Sequence, residues 1–337
     1  MRYSKVFLDA VGYELAPNVV TSSALEERIA PVYEALGMQT GQLEALTGIR
    51  ERRWWNPGFK LSEGAVRAGR KALAAGGVPV SELGALIYAG VCREASEPAT
   101  ACAVGAGLGV RPDCAVYDIS NACLGVMNGI FEVANAIELG AMRAGLVVSC
   151  ESAREINDSM IASMLKDRSM EHFRLSMATL TGGSGAVGVL VTDGSFGRPG
   201  HRLLGGVLRA APEHHRLCLW QRDSMSTDAA AVLKHGVGLG RDTWQAFLRE
   251  LGWTPSTVQK TICHQVGAPH RSQVLSEIGV PEDRDFQTYE FLGNIGTVSL
   301  PMTAAIADER DFLQKGDKVA FLGIGSGLNC LMLGWDW

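Results

Sequence analysis

Residues 115–139 read AVYDISNACLGVMNGIFEVANAIEL, which is a short apolar run, a small polar turn and a long run with helical spacing of apolar residues. The first run, 115–118, is typical of a buried strand, and the long run, 123–139, is typical of a helix that stops before Gly140. The stretch therefore predicts a strand, a turn and a helix, with Cys123 in the first turn of that helix.

The same alternation continues on both sides of this stretch. Short apolar runs alternate with longer helical patterns, and many of the 40 glycines lie between them, which is typical of an α/β fold. The further predicted strands are 85–89, 146–149, 186–192, 261–264 and 318–322, and the further predicted helices are 98–108, which Pro98 opens, 271–278, and one that follows a turn at 293–296.

The second half of the chain repeats this alternation of strands and helices, so we expect a duplicated α/β unit. The halves are predicted to be 1–195 and 196–337, separated by the Gly/Pro loop at 193–201. A charged, methionine-rich segment, 155–176, is inserted in the first half. It is expected to form a lid or to cover a dimer edge, and a solvated pair of surface helices is the alternative.

Composition excludes several classes of protein. The chain has 337 residues, of which 47% are hydrophobic and 20% charged, and this argues against disorder, collagen and a long coiled coil. A net charge of −5 without long runs of one sign does not favour a nucleic-acid groove. Because Asp9 and Glu14 interrupt the start and no apolar stretch is long enough to span a membrane, a cytoplasmic protein without a transmembrane segment is predicted.

Eight cysteines are scattered through the chain without any CxxC pair. In a reducing compartment such cysteines are expected to be small buried residues, not disulfides or zinc ligands. The histidines other than His264 show no metal-ligand spacing with carboxylates, so no metal site is predicted.

Cys123 is the candidate nucleophile. Unpaired N–H groups and the helix dipole at a helix start favour an anion, lower the pKa of a thiol and so make it reactive. Its small neighbours Asn121, Ala122 and Gly125 leave room for another group to approach the sulfur. The alternative, a small buried cysteine at a helix start, is the more frequent situation when the residue is considered by itself.

Three further elements could hold a negatively charged oxygen. His264 ends a predicted strand, where ligands collect in open α/β sheets, although a histidine there is as often structural. Asn294 lies between glycines and could simply tolerate a left-handed turn. Together, however, an imidazole and an amide can donate two hydrogen bonds to an enolate or thioester oxygen. The glycine-rich loop 323–327 suits close backbone approach, and the N–H of Ser326 could join that of Cys123 in an oxyanion hole.

Glu97 is a candidate base beside Pro98. An exposed carboxylate at a helix entrance is the equally good alternative. Near a thiol and an apolar acyl chain, desolvation would raise its pKa and let it remove a proton from a weakly acidic carbon.

Taken together, NACLG around Cys123, HQ at His264, GN at Asn294, the terminal GIGSG and TGIRERR at 47–53 resemble the thiolase superfamily and its β-ketoacyl-[acyl-carrier-protein] synthase III branch over essentially the whole chain. The resemblance implies two α-β-α-β-α halves in a five-layered αβαβα sandwich, normally a homodimer with the active site near the interface. It implies that Cys123 is acylated and that His264 and Asn294 stabilise an enolate. It also implies an oxyanion hole formed by the N–H groups of Cys123 and Ser326.

The chain departs from the fatty-acid-initiating synthases of that branch at three places. Pro269 stands where those synthases carry an arginine for carrier-protein docking, and residues 41–43 replace a tryptophan that stacks on adenine, so Trp54 or Trp55 would have to take over that role or else belong to the core. The third departure is Glu97 with Pro98, Ala99 and Thr100. It resembles the OleA-type condensing enzymes of bacterial long-chain olefin biosynthesis.

That resemblance implies a reaction between two long-chain fatty acyl-CoA molecules without decarboxylation, with no cofactor beyond the coenzyme A thioesters themselves. An unactivated α-carbon must then lose a proton, and this requirement makes Glu97 the expected base. Association with other enzymes of an olefin pathway is possible. The alternatives are a malonyl-dependent synthase, an acyltransferase of the same branch, and a non-catalytic partner subunit of the same fold.

Overall fold

The computed structural model describes residues 1–197, 200–221 and 223–337. Within these residues the chain forms thirteen strands and twelve α-helices. The strands are β1 (Phe7–Leu15), β2 (Asn18–Thr21), β3 (Glu51–Trp54), β4 (Ala85–Ala89), β5 (Ala115–Ile119), β6 (Ala144–Glu151), β7 (Gly185–Thr192), β8 (His201–Ala210), β9 (Cys218–Trp220), β10 (Met225–Thr227), β11 (Lys260–Cys263), β12 (Lys318–Gly325) and β13 (Asn329–Asp336). The helices are α1 (Ser22–Arg28), α2 (Ala30–Leu36), α3 (Gln42–Thr47), α4 (Leu61–Gly76), α5 (Thr100–Leu108), α6 (Gly125–Glu138), α7 (Arg154–Lys166), α8 (Met170–Ser176), α9 (Ala229–Leu251), α10 (Ala268–Ile278), α11 (Tyr289–Leu292) and α12 (Ser299–Glu309).

The strand pairing repeats between the two halves of the chain. In the first half the order is β5-β4-β6-β7-β1, and β4 is parallel to β5 and β6, while β6, β7 and β1 are antiparallel. In the second half the order is β11-β12-β13-β8; β11 and β12 are parallel, and β12, β13 and β8 are antiparallel to their neighbours, as β6, β7 and β1 are in the first half. The two sheets join where the start of β1 pairs with the start of β8.

Five layers stack around a central pair of helices. One apolar cluster combines α6 and α12 with side chains from both sheets, such as Ile87 and Val147 from the first and Phe321 and Leu333 from the second. The opposite face of the first sheet packs against α4 and α5, and the opposite face of the second sheet packs against α9 and α10. This helix–sheet–helix–sheet–helix arrangement confirms the predicted five-layered α/β sandwich.

The predicted division into 1–195 and 196–337 falls between β7 and β8. The connecting loop includes residues 198 and 199, which lie outside the described residues, so the boundary stays a prediction. The repeated strand pairing on either side agrees with a duplicated unit.

Two helix starts differ from the sequence prediction. Helix α5 begins at Thr100 and not at Pro98, because the Asp118 carboxylate accepts the free N–H groups of Thr100 and Ala101 at 2.9 and 2.8 Å. Helix α6 begins at Gly125, so Cys123 lies two residues before the helix and not in its first turn.

The inserted segment 155–176 corresponds to α7 and α8. Ile161, Met164 and Phe173 are buried in an apolar cluster with side chains of α1, α2 and α3. One face of the helix pair therefore belongs to the core, while other positions of α7 and α8 are exposed, so the alternative of a pair of surface helices also stays open. The roles as a lid or as a cover for a dimer edge stay predictions.

No helix among residues 1–197, 200–221 and 223–337 has the length and apolar character needed to cross a membrane.

Close contact between α4 and the first sheet depends on two glycines. Gly12 and Gly188 face each other across β1 and β7. A Cβ at Gly188 would lie 2.7 Å from the Gly69 Cα and 2.8 Å from the Ala68 carbonyl oxygen, and a Cβ at Gly12 would lie 2.4 Å from the same oxygen. Since these neighbours are backbone atoms, they cannot move away as a side chain would.

We expect Gly188→Ala to lower the free energy of unfolding by about 1–3 kcal/mol, because the added methyl group pushes α4 off the sheet. Gly238→Ala is the matched control: Gly238 lies within α9 with open space around it, so the change should be neutral or stabilising by up to about 1 kcal/mol. Denaturant titration of both variants measures the difference. Equal stability of Gly188→Ala and the unmodified chain would contradict the close packing.

Candidate active site

A cavity of about 570 Å³ lies where the carboxyl ends of five strands converge. Val91 follows β4, Cys123 follows β5, Glu151 ends β6, His264 follows β11 and Ser326 follows β12, and all five residues line the cavity. Ligand sites of open α/β sheets form at such strand ends, and here two sheets contribute to the same site. Asn294, from the loop after α11, lines it as well.

The rest of the wall is mainly apolar and comes from segments that sequence analysis did not connect with the site. The hairpin of β9 and β10, the start of α9 and the segment 177–183 contribute most of it. Apolar lining residues include Ile156, Met177, Leu233, Ile324 and Leu328. Such a wall suits an acyl chain.

Cys123 sits on a sharp turn between β5 and α6. The preceding residue, Ala122, has φ 45°, which is unusual for a residue with a side chain, and the Leu124 N–H donates to the Asn121 carbonyl oxygen at 2.9 Å. Asn121 is fixed in turn by side-chain hydrogen bonds to Asn128 at 2.8 Å and Asn329 at 3.0 Å. The turn therefore presents the thiol to the cavity without making it part of the helix.

Burial, together with the neighbouring Cys218 and Glu151, raises the pKa of the Cys123 thiol to about 12. This corrects the sequence expectation that a helix start would lower the pKa, since the cost of placing a thiolate in an apolar cavity exceeds the attraction of the helix end. The thiol is neutral near pH 7. It needs a proton acceptor when it reacts.

His264 is held by the end of β11, where its N–H donates to the Leu322 carbonyl oxygen of β12 at 3.0 Å. The residue is 4% exposed, and burial, together with the nearby His270, lowers the pKa of its imidazole to about 3. The ring is thus a neutral imidazole, which can accept a proton at one nitrogen and donate from the other. Its buried Nδ1 has no hydrogen-bond partner among the described residues.

Asn294 is oriented by its surroundings. Its N–H donates to the Thr181 carbonyl oxygen and its carbonyl oxygen accepts from the Gly183 N–H, both at 2.9 Å. The side-chain Oδ1 accepts the Gly296 N–H at 3.0 Å, which leaves the NH₂ group for the cavity. The flanking glycines, Gly293 and Gly296, take the positive φ angles and Asn294 does not, so a left-handed turn does not explain the asparagine.

The loop 323–327 begins inside β12, which extends to Gly325 and is longer than predicted. A Cβ on Gly325 would lie 3.4 Å from the Cys123 backbone nitrogen, so the predicted reason for glycine here, close backbone approach, agrees with the structure. Ser326 follows directly and lines the same cavity. The backbone groups of Cys123 and Ser326 thus meet at one site, and their function as an oxyanion hole stays a prediction.

Glu97 is not brought to the cavity within one chain. It is exposed, in the loop before α5, and does not belong to the lining residues. The desolvation that sequence analysis expected for this carboxylate is therefore absent in the single chain. The role of Glu97 as a base stays a prediction.

The tryptophans considered for adenine binding belong to the core. Trp54 and Trp55 are 2% and 4% exposed, and their indole N–H groups donate to the carbonyl oxygens of Gly182 at 3.2 Å and Glu151 at 3.0 Å. Neither presents a face for stacking.

Three titratable residues that the sequence patterns did not indicate also line the cavity: Glu151, Cys218 and His270. Burial raises the pKa of the Glu151 carboxyl and lowers that of His270 to about 4. Glu151 follows the apolar run LVVSC, so the strand-end rule that selected His264 would have selected it too. No comparable pattern identifies Cys218 or His270. Among the described residues no group of three or more His, Cys, Asp or Glu could hold a metal ion.

Comparison with known proteins identifies the class. The family described as 3-oxoacyl-[acyl-carrier-protein] synthase III C terminal matches residues 248–337. The acyl-CoA:acyl-CoA alkyltransferases of Shewanella oneidensis and Xanthomonas campestris are 55% and 34% identical to the chain, each over 100% of both chains. The crystal structure of a Xanthomonas campestris OleA variant superposes with a TM-score of 0.97 at 34% identity and covers 100% of this chain and 98% of that one.

Fold and cavity together define a condensing enzyme of the thiolase superfamily. Within that superfamily the chain belongs to the acyl-CoA:acyl-CoA alkyltransferases, the OleA family. Solved structures of the Xanthomonas protein include one with bound lauric acid and lauroyl-CoA, and variants in which a cysteine, a histidine or a glutamate is replaced.

Proposed function

We propose that this protein joins two long-chain fatty acyl-CoA molecules through an S-acyl intermediate on Cys123, without decarboxylation. The observation that carries the proposal is the placement of Cys123, His264 and Asn294 around one largely apolar cavity. The names of the full-length relatives and the lauroyl-CoA bound to the Xanthomonas protein support the substrate class.

In the first half-reaction the Cys123 sulfur attacks the thioester carbonyl of one acyl-CoA. The neutral His264 accepts the thiol proton as the sulfur attacks, because a free thiolate is unfavourable in this cavity. The backbone N–H groups of Cys123 and Ser326 hold the oxyanion. When the carbon–sulfur bond of the substrate breaks, the proton passes to the departing coenzyme A.

In the second half-reaction another acyl-CoA loses an α-proton. Its enolate oxygen accepts hydrogen bonds from His264 and from the NH₂ group of Asn294, whose orientation the Gly296 N–H fixes. The enolate carbon attacks the Cys123 thioester, the carbon–sulfur bond breaks, and the released sulfur takes up the proton removed from the α-carbon, which restores the thiol. The product is a 2-alkyl-3-oxoacyl-CoA, and hydrolysis of its thioester gives a β-keto acid.

The base for this step is Glu97 of a second copy in a homodimer. Strand β5 is the outer strand of the nine-stranded sheet, and Tyr117 on it is 41% exposed, so its edge is available for pairing with another copy. The exposed Glu97 loop precedes α5, the helix that packs on β5 and β4. In the Xanthomonas protein the replaced glutamate and the replaced cysteine are separated by the same number of residues as Glu97 and Cys123.

The remaining assignments follow from this chemistry. Acyl-CoA substrates and free cysteines fit the cytoplasm. A β-keto acid with a long 2-alkyl branch is a suitable precursor for olefin-forming enzymes, with which this protein could associate. Apart from the acyl-CoA substrates, no cofactor takes part in the proposed steps.

Incubation with a single long-chain acyl-CoA tests the function directly. We expect release of coenzyme A, an acyl adduct on Cys123 by mass spectrometry, and a doubled-chain product without malonyl-CoA. Cys123→Ser should remain folded and lose the thioester adduct. A product that appears only with malonyl-CoA would favour the decarboxylating alternative, and no S-acyl adduct at all would favour a non-catalytic partner subunit.

Mixing two inactive variants tests the role of Glu97 in the partner's site. Co-expressed Cys123→Ala and Glu97→Ala chains form some mixed dimers, in which one site contains both Cys123 and Glu97 and the other contains neither. If Glu97 acts across the interface, condensation activity returns in the mixed dimers up to about half of that of the unmodified dimer. If it acts within its own chain, no mixture regains activity.

A further inference from the structure

Glu151 is a buried carboxylate in the wall of the cavity for which the proposed steps have no use. It is the last residue of β6, 4% exposed, and its backbone is fixed by the Trp55 indole N–H, which donates to its carbonyl oxygen at 3.0 Å. A buried charge of this kind is costly unless it is hydrogen-bonded, so its contacts indicate what it is for.

Both carboxylate oxygens of Glu151 hold the turn that follows β4. Oε1 accepts the Val91 N–H at 2.9 Å, and Oε2 accepts the Cys92 N–H at 3.1 Å. The Tyr88 hydroxyl reaches the Cys92 carbonyl oxygen at 2.8 Å on the other side of the same turn. This turn begins the exposed segment that leads to Glu97.

The same carboxylate lies next to the loop that carries Asn294. A Cβ on Gly296 would lie 3.6 Å from Cγ, Cδ and Oε1 of Glu151, so the Gly296 backbone lies beside the carboxylate with room for about one methyl group between them. The Gly296 N–H is the group that orients the Asn294 amide, at 3.0 Å. Glu151 thus bonds to the turn that leads to the proposed base and lies beside the loop that carries the enolate-binding amide.

Cys123 is held by a different set of contacts. Its turn depends on Asn121, which bonds to Asn128 and Asn329, and on the close approach of Gly325. None of these groups bonds to Glu151. The negative charge of Glu151 acts on Cys123 only at a distance, by opposing ionisation of the thiol.

We infer that Glu151 is a positioning residue for the condensation half-reaction, which aligns the Asn294 amide and the Glu97 segment and is not needed for acylation of Cys123. The inference rests on the proposed function. Glu151 is assigned no proton transfer, because the proposed steps use Glu97 as the base; its own oxygens hold the backbone N–H groups of Val91 and Cys92. Its removal should therefore affect the two half-reactions differently, which a general loss of structure would not do.

The test measures the two half-reactions separately in Glu151→Gln. The amide offers one acceptor oxygen to two N–H donors, so one buried donor loses its partner. We expect condensation to slow by about tenfold or more. The rate of Cys123 acylation, measured as the rapid release of coenzyme A, should be unchanged or higher, because the charge that opposes thiol ionisation is gone. Alkylation of Cys123 should shift to lower pH.

Two further variants separate this effect from instability. Glu151→Asp keeps the charge, so it should leave the pH dependence of alkylation unchanged and lose only part of the condensation rate. Glu26→Gln is the chemical match, because Glu26 is also buried and accepts two backbone N–H groups, from Gly41 at 2.6 Å and Leu43 at 2.7 Å. Glu26 caps a helix that lies at the cavity wall, so any loss of rate in Glu26→Gln should be equal in the two half-reactions.

The outcomes distinguish this inference from the proposed function. If the unmodified protein forms no S-acyl adduct and no doubled-chain product, the proposed function fails. If it forms both while Glu151→Gln slows the two half-reactions equally, or slows neither, the positioning role is overturned. If Glu151→Gln does not fold, the comparison between Glu151→Asp and Glu26→Gln gives the same decision.

Discussion

The structure depends on the packing of α6 and α12 between two sheets. Because strands cover these helices from both sides, most of their apolar side chains are buried, and the sheets must lie at fixed positions above and below them. That packing brings the carboxyl ends of β4, β5 and β6 from one sheet to the ends of β11 and β12 from the other. The cavity is a consequence of this layered core, and any displacement of the central helices would separate Cys123 from His264.

Burial explains the chemical state of the site. A thiolate, an imidazolium and an unpaired carboxylate are all unfavourable in an apolar cavity, so the thiol and the imidazole are neutral at physiological pH and the one carboxylate is fully hydrogen-bonded. Negative charge has to arise during the reaction, and it arises at oxygens that meet preorganised donors: a neutral imidazole, an oriented amide and backbone N–H groups. The apolar wall thus excludes water from the acyl chains and also strengthens these hydrogen bonds.

Much of this could be predicted from the sequence, for identifiable reasons. The strands at 85–89 and 186–192 and the helix after the Cys123 turn carry strong local patterns, and the placement of His264 follows from its position at a strand end. Cys123, His264, Asn294 and Ser326 were expected at one site from the resemblance to a family, and they line one cavity. The thiol pKa could not be predicted, since it depends on how deeply the turn is buried by segments far away in the sequence. The local pattern also placed the start of α5 too early, at Pro98. The Asp118 carboxylate that caps this helix belongs to β5, which follows α5 in the chain, so the local pattern does not include it.

The position of Glu97 shows a further limit of sequence reasoning. Its chemistry as a base was inferred from the reaction, yet a sequence does not show whether a residue serves its own chain or a second copy. Glu151 shows a different limit. Its position at the end of a strand can be predicted from the sequence, but its place between the β4 turn and the Asn294 loop cannot.

The central claim is that an acyl-CoA without an activating carboxyl group loses an α-proton in this cavity. The most direct measurement uses enzyme already acylated at Cys123 and a second acyl-CoA bearing deuterium at its α-carbon. The account predicts that the deuterated substrate condenses more slowly than the ordinary one in a single turnover. In a separate measurement with unacylated enzyme, both substrates should acylate Cys123 at the same rate. Equal condensation rates, with carbon–carbon bond formation only when malonyl-CoA is supplied, would contradict it.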